Sequence, residues 1–85
     1  MASYKVLIKR SAAKELEGLP PQIRRRIVTR IEALGTMSRP PGVEKLSGQE
    51  KYRIRQGDYR VVYAIDDDAR TATVFKIGHR RDVYR

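Results

Sequence analysis

Apolar residues fall on two different periods along this chain, and each change of period marks an element. Tyr4, Val6 and Ile8 alternate with Lys5, Leu7 and Lys9, the period-two signature of a short strand. From Ala12 the spacing stretches. Ala12, Leu16 and Leu19 recur at i, i+4 and i+7, which predicts a helix of two turns with Ser11 as its N-cap. Gly18 and the pair Pro20-Pro21 end it, and a proline suits the start of the next helix, whose first turn needs no amide donor. In that second helix Ile23, Ile27, Ile31 and Leu34 lie within roughly 80° of one another, while Arg25 points away. Arg24 and Arg30 flank the stripe and can cover its edge with their aliphatic stems. Gly35 is placed at the C′ position. So short a connection predicts an antiparallel helical hairpin.

Residues 35–50, rich in Gly, Pro and Ser, read as loop. Three strands follow. Tyr52-Arg53-Ile54-Arg55 alternates, Tyr59 to Ile65 is β-branched and aromatic, and Thr71 to Gly78 carries Val74, Phe75 and Ile77. Gln56-Gly57-Asp58 and Asp66-Asp67-Asp68 supply the turns of a meander. The order β-α-α-β-β-β predicts an α+β fold, an antiparallel-type sheet with the helical hairpin packed on one face, as a single domain over residues 1–85.

Charge narrows the class of partner. The 85 residues hold 19 Lys and Arg against 10 Asp and Glu, a net charge of +9, spread over both halves of the chain rather than gathered in a tail. Such a surface favours polyanions: nucleic acid, an acidic protein, or both. The absence of cysteine removes disulfides, thiolate metal sites and thiol nucleophiles. No run approaches the ~18 apolar residues of a membrane span and no secretion signal follows Met1, so a soluble cytoplasmic protein without membrane partners is expected.

Strand parity then groups the charges. If Arg55 lies opposite Arg60, then Arg53, Arg55 and Arg60 share one face while Ile54, Val61 and Tyr63 point to the other. With Phe75 and Ile77 on the apolar side against the helices, Lys76 and Arg80 join the arginines. Like charges opposed across a sheet are destabilising, and a fold shaped by stability alone would intersperse acids. The expectation is a groove for phosphates, which arginine grips bidentately. Beyond the last strand, Tyr84 stands in a nearly all-polar tail, where it either anchors the C-terminus or, folded back on the sheet, could stack on a base or join proton transfer. His79, the one histidine, cannot form a metal site by itself and faces away from Arg80 by parity. The three aspartates read as a solvated turn, and Arg24-Arg25-Arg26 as a wet helix face that aids steering. There is no glycine-rich phosphate loop, no Ser/His/Asp set and no zinc motif; no cofactor and no metal is expected.

Taken in order, Lys45-Leu46-x-Gly48, Tyr52-Arg53-Ile54-Arg55, Gly57-x-Tyr59-Arg60-Val61-Val62-Tyr63 and Ile77-Gly78-His79-Arg80-Arg81-Asp82-Val83-Tyr84 resemble the RelE family of bacterial type II toxins, within the RelE/ParE superfamily. The resemblance covers essentially the whole chain. It implies a metal-independent endoribonuclease, an mRNA interferase that cuts messenger RNA in the ribosomal 30S A site by attack of a ribose 2′-hydroxyl on the adjacent phosphate. It also implies silencing by a RelB-type antitoxin in a toxin–antitoxin hetero-oligomer. Arg60, Arg80 and Tyr84 match the family's catalytic positions. Arg53, Arg55, Lys76 and Arg81 are candidates for binding RNA phosphates. Arg53 and Arg55 stand where the best-known member has lysines. A lysine can give up its proton among other cations, whereas arginine effectively cannot. The general base is therefore left among Tyr84, His79 as acid or base, and a ribosomal group. Two other classes stay open: a ParE-like toxin that acts on DNA gyrase without cutting RNA, and a basic RNA-binding module without catalysis.

Overall fold

A computed structural model describes residues 3–46 and 51–79. Its elements run β1 (Lys5–Ile8), α1 (Arg10–Glu17), α2 (Pro21–Ala33), β2 (Glu44–Leu46), β3 (Lys51–Gln56), β4 (Tyr59–Asp66) and β5 (Thr71–His79). One five-stranded sheet has the order β1-β5-β4-β3-β2. The α+β class and the three-strand meander stand as expected. Two features differ: β2 lies within the segment read as loop, and β1 pairs parallel to β5, which makes the sheet mixed.

The helices form where the apolar stripes placed them, with shifted ends. Helix α1 begins at Arg10 after Lys9 as N-cap, so Ser11 lies inside it rather than capping it. Helix α2 starts on Pro21, whose missing amide costs nothing there. Its cap is Leu34, and Gly35 does not adopt a left-handed conformation. The glycine is needed for proximity instead: its carbonyl accepts the Tyr4 N–H at 2.7 Å, and a Cβ would stand 3.2 Å from the Tyr4 carbonyl oxygen. Helix and first strand are thereby pinned together.

The core lies between the helices and one face of the sheet. Ala12 of α1 and Ile27, Ile31 and Leu34 at α2 meet Tyr52, Ile54, Val61, Tyr63, Ile65, Ala72, Val74 and Ile77. Leu16, Leu19 and Ile23 pack around this cluster. The inward residues of β3 and β4 therefore alternate as predicted, and the outward ones (Lys51, Arg53, Arg55, Arg60, Val62, Ala64) belong to the face that the helices leave uncovered. A β-bulge between Val62 and Tyr63 breaks that pattern on β5. Val62 pairs with Lys76 and Tyr63 with Val74, which leaves Phe75 as the extra residue. Ile77 and Val74 stay in the core but Phe75 does not, contrary to the simple parity count.

At the β3 start of the sheet a polar clasp ties the long loop down. Arg39 donates from Nη1 and Nη2 to both carboxylate oxygens of Asp67, and from Nε to the Tyr52 hydroxyl at 3.0 Å. The Tyr4 hydroxyl donates to Asp67 as well. The Tyr63 hydroxyl donates to the buried Ser38 carbonyl at 2.7 Å. Burial pushes the Tyr63 phenol up to about 12, so it stays protonated as that donor. Asp67 is thus not merely a solvated turn residue, and the exposed Asp66 at the end of β4 shapes the turn, its Oδ1 accepting the Ala69 N–H.

Candidate nucleic-acid interface

The cationic face begins with the β3–β4 hairpin. Gly57 takes a φ of +61° in the two-residue connection, which fixes the register Arg55↔Arg60. Arg53 lies two residues back on the same face, opposite Val62. On its other flank Arg53 faces Glu44 of β2. There the expectation of an acid-free face fails. The Arg53 Nη2 donates to Glu44 Oε2 at 2.6 Å, and the Arg55 Nη2 lies 3.3 Å from Oε1. These guanidiniums hold the Glu44 carboxyl below its ordinary range, Arg53 most through hydrogen bond and charge, then Arg55 and Arg60 through charge alone. Two arginines of β3 therefore share one carboxylate of the same chain, and Arg60 of β4 lies opposite Arg55 on the same face.

Exposure decides which of these groups an incoming phosphate can reach. The Arg55 side chain is 59% exposed and that of Glu44 44%. Arg53 is only 11% exposed and Arg60, as a residue, 7%. The centre thus has a shielded floor and an open rim, with its carboxylate on the rim. Lys76 also carries an acid, its Nζ lying 3.2 Å from Glu15 Oε2, while Glu15 Oε1 accepts the Ile77 N–H. One α1 side chain thereby caps a β5 amide beyond the stretch that β1 covers.

His79 sits elsewhere. It pairs with Tyr59, and the two rings meet edge to face at 5.7 Å on the side opposite Arg60 and Gly78. With Lys14, Glu15 and Leu19 it lines a shallow groove beside α1, so the structure does not bring it to the arginines. Arg80, Arg81 and Tyr84, like Gly48 of the sequence pattern, lie outside the described residues. Two residues of this face were not singled out from sequence: Glu44, hidden because its three-residue strand has no periodic signal, and Phe75, assigned to the core because the bulge is invisible to parity.

The arginine-lined face thus belongs to a five-stranded sheet whose other face packs on two helices. Among the described residues no cluster of His, Cys, Asp or Glu could hold a metal ion, and no helix is long and apolar enough to cross a membrane. A family model for the ParE toxin of type II toxin–antitoxin systems matches residues 6–84. This chain belongs to that toxin family. Its membership in the wider RelE/ParE superfamily agrees with relatives from both bacteria and archaea. The toxin is 36% identical to toxin RelG of Mycobacterium tuberculosis, over 96% of this chain and 97% of that protein. It is 31% identical to a putative toxin RelE1 of Methanocaldococcus jannaschii, over 96% of each. Among solved structures it is similar to the archaeal RelE–RelB complex from Pyrococcus horikoshii, with a TM-score of 0.83 and 31% identity over 92% of this chain and 96% of that one.

Proposed function

We propose that this type II toxin is a metal-independent endoribonuclease that cleaves messenger RNA in the ribosomal A site of the cytoplasm and is neutralised by a RelB-type antitoxin. What supports the proposal is that Arg53, Arg55 and Arg60 share the sheet face opposite the helices, where Arg53 and Arg55 already hold one anionic group, the Glu44 carboxylate. In the reaction the 2′-oxygen attacks the adjacent phosphorus and loses its proton. The bond to the 5′-oxygen breaks, that oxygen takes up a proton, and the ends are a 2′,3′-cyclic phosphate and a 5′-hydroxyl. Arg60 and Arg80 would stabilise the charge that builds on the pentacoordinate phosphorus, and Arg53, Arg55, Lys76 and Arg81 would hold flanking phosphates. With His79 packed on Tyr59, the proton of the 2′-hydroxyl would pass to Tyr84 or to a group of the ribosome.

The RelB-type partner is proposed from the relatives solved as RelE–RelB complexes and from the net charge of +9, which an acidic segment folding onto the toxin would offset. The proposed assembly is a hetero-oligomer of one toxin domain over residues 1–85 with that antitoxin.

Mapping transcript ends after brief induction tests the nuclease. Cyclic-phosphate ends should appear with wild type, and Arg60→Ala or Arg80→Ala should slow cleavage by about 10²–10³-fold, the usual cost of one preorganised donor. Equal toxicity of these variants at matched expression would overturn the assignment. A second reading follows from the ParE description of the matching family: a toxin that acts on DNA gyrase. It requires DNA damage while translation continues and transcripts stay intact.

A further inference from the structure

The uncovered face extends past the arginines, and the bulge alters what it carries there. Phe75, the extra residue of β5, is only partly buried and is absent from the core. Its contacts show where it points. The Lys9 ammonium lies 4.7 Å and the Lys51 ammonium 5.2 Å from its ring centroid. Lys51 alternates with the core residues Tyr52 and Ile54, so it lies on the open face. Among the described residues, the sheet face opposite the helices therefore presents the Phe75 ring bracketed by two lysines. Among the described residues neither lysine has a carboxylate partner, unlike Arg53, Arg55 and Lys76. Lys51 and Arg55 stand four residue steps apart on β3, about 13 Å along the strand at ~3.3 Å per step. One extended strand of nucleic acid can cross both places.

We propose that Phe75, Lys9 and Lys51 form a second nucleotide subsite, where a base of single-stranded RNA stacks on the Phe75 ring and its flanking phosphates engage the two ammonium groups. Base–aromatic stacking beside a cationic track is how sheet surfaces hold single strands irrespective of sequence. The occupant follows from charge: among the described residues no carboxylate pairs with the lysines around the ring, and a phosphate-bearing strand supplies both the stacking plane and the counter-charge. Lysines held over a ring by cation–π attraction can swing from it to a phosphate as the base arrives. The inference rests on RNA as the toxin's ligand, but not on RNA being cut.

The test uses a short single-stranded RNA with 2′-O-methyl riboses, which cannot supply the attacking hydroxyl, bound to the toxin over a range of salt. Phe75→Leu keeps an apolar side chain and removes the ring face, and should weaken binding by roughly five- to one-hundred-fold with the salt slope unchanged. Lys9→Ala and Lys51→Ala should each reduce that slope by about 0.7. Unchanged affinity in a folded Phe75→Leu protein overturns the subsite, as does a loss confined to antitoxin binding. Should Phe75→Leu fail to fold, Phe75→Trp decides: equal or tighter RNA binding supports the stack, and lost binding refutes it. Transcript mapping separates this outcome from the nuclease proposal. A wild type that binds through Phe75 but cuts nothing keeps the subsite and discards the nuclease. A wild type that cuts, with Phe75→Leu unaltered in affinity, does the reverse.

Discussion

Arg55 and Arg60 face each other across a turn fixed by Gly57, and two guanidiniums so placed need an anion. Glu44 provides one from the neighbouring strand, which explains how a stable fold tolerates the cluster. The same contact makes Glu44 a competitor for any phosphate that enters. Glu44→Gln keeps the shape and removes the charge, so it should tighten binding of the 2′-O-methyl RNA by roughly two- to five-fold, the range of an exposed ion pair. Titration at constant ionic strength reads the effect; weaker binding would mean that Glu44 organises the arginines for RNA instead of competing with it. At this scale the sequence showed the cations and not their counter-ion. Arg53, Arg55 and Arg60 could be grouped because parity and a two-residue turn specify register locally. Glu44 entered only through a strand pairing that no local pattern announces.

Among the elements, long apolar stripes and turn chemistry were legible. The Ile23–Ile27–Ile31–Leu34 stripe became α2 and its cap, and the Tyr52–Ile54 and Val61–Tyr63 alternations became the inner face of β3 and β4. What escaped was decided by tertiary pairing: β2 has three residues and a polar sequence, β1 finds its partner far along the chain, and the Val62/Tyr63 bulge moves Phe75 off the core. The clasp of Arg39, Tyr52, Tyr4 and Asp67 is likewise a meeting of distant segments. Arg39, then Tyr4, holds the Asp67 carboxyl below its ordinary value of 3.8. A carboxyl lowered in the folded state contributes stability that is complete above the unfolded value and is lost as pH falls through the folded one. Wild type should therefore lose more thermal stability than Asp67→Asn between pH 7 and about pH 3, while the variant is the less stable at neutrality. Parallel losses in thermal melts would show that the clasp does not set the acid limb.

For the molecule as a whole, 85 residues support only about 4–13 kcal/mol of stability at 0.05–0.15 kcal/mol per residue. Core substitutions therefore act as on–off switches. Ile54 is 1% exposed between sheet and helices, and Ile54→Ala should cost about 2–5 kcal/mol. In a domain of this size each kcal/mol corresponds to about 4–8 °C in Tm. Calorimetry should show that drop for the isolated variant and partial recovery on adding the proposed antitoxin, since a partner that binds only the folded form shifts the balance by mass action. Loss of toxicity in Ile54→Ala would accordingly report folding and not chemistry, which is why the arginine variants must be compared at matched thermal stability.

The pairing of β1 with β5 has a bearing on when this toxin becomes dangerous. Lys5 lies beside Thr71, 71 − 5 = 66 residues later, and β5 is the strand that joins β1 to the rest of the sheet. A half-synthesised chain has its first strand waiting with nothing to dock on, and contacts so remote in sequence form slowly. The sheet thus cannot close until the last described strand has been made, and a partner already present at that moment would meet the toxin's surface as it forms.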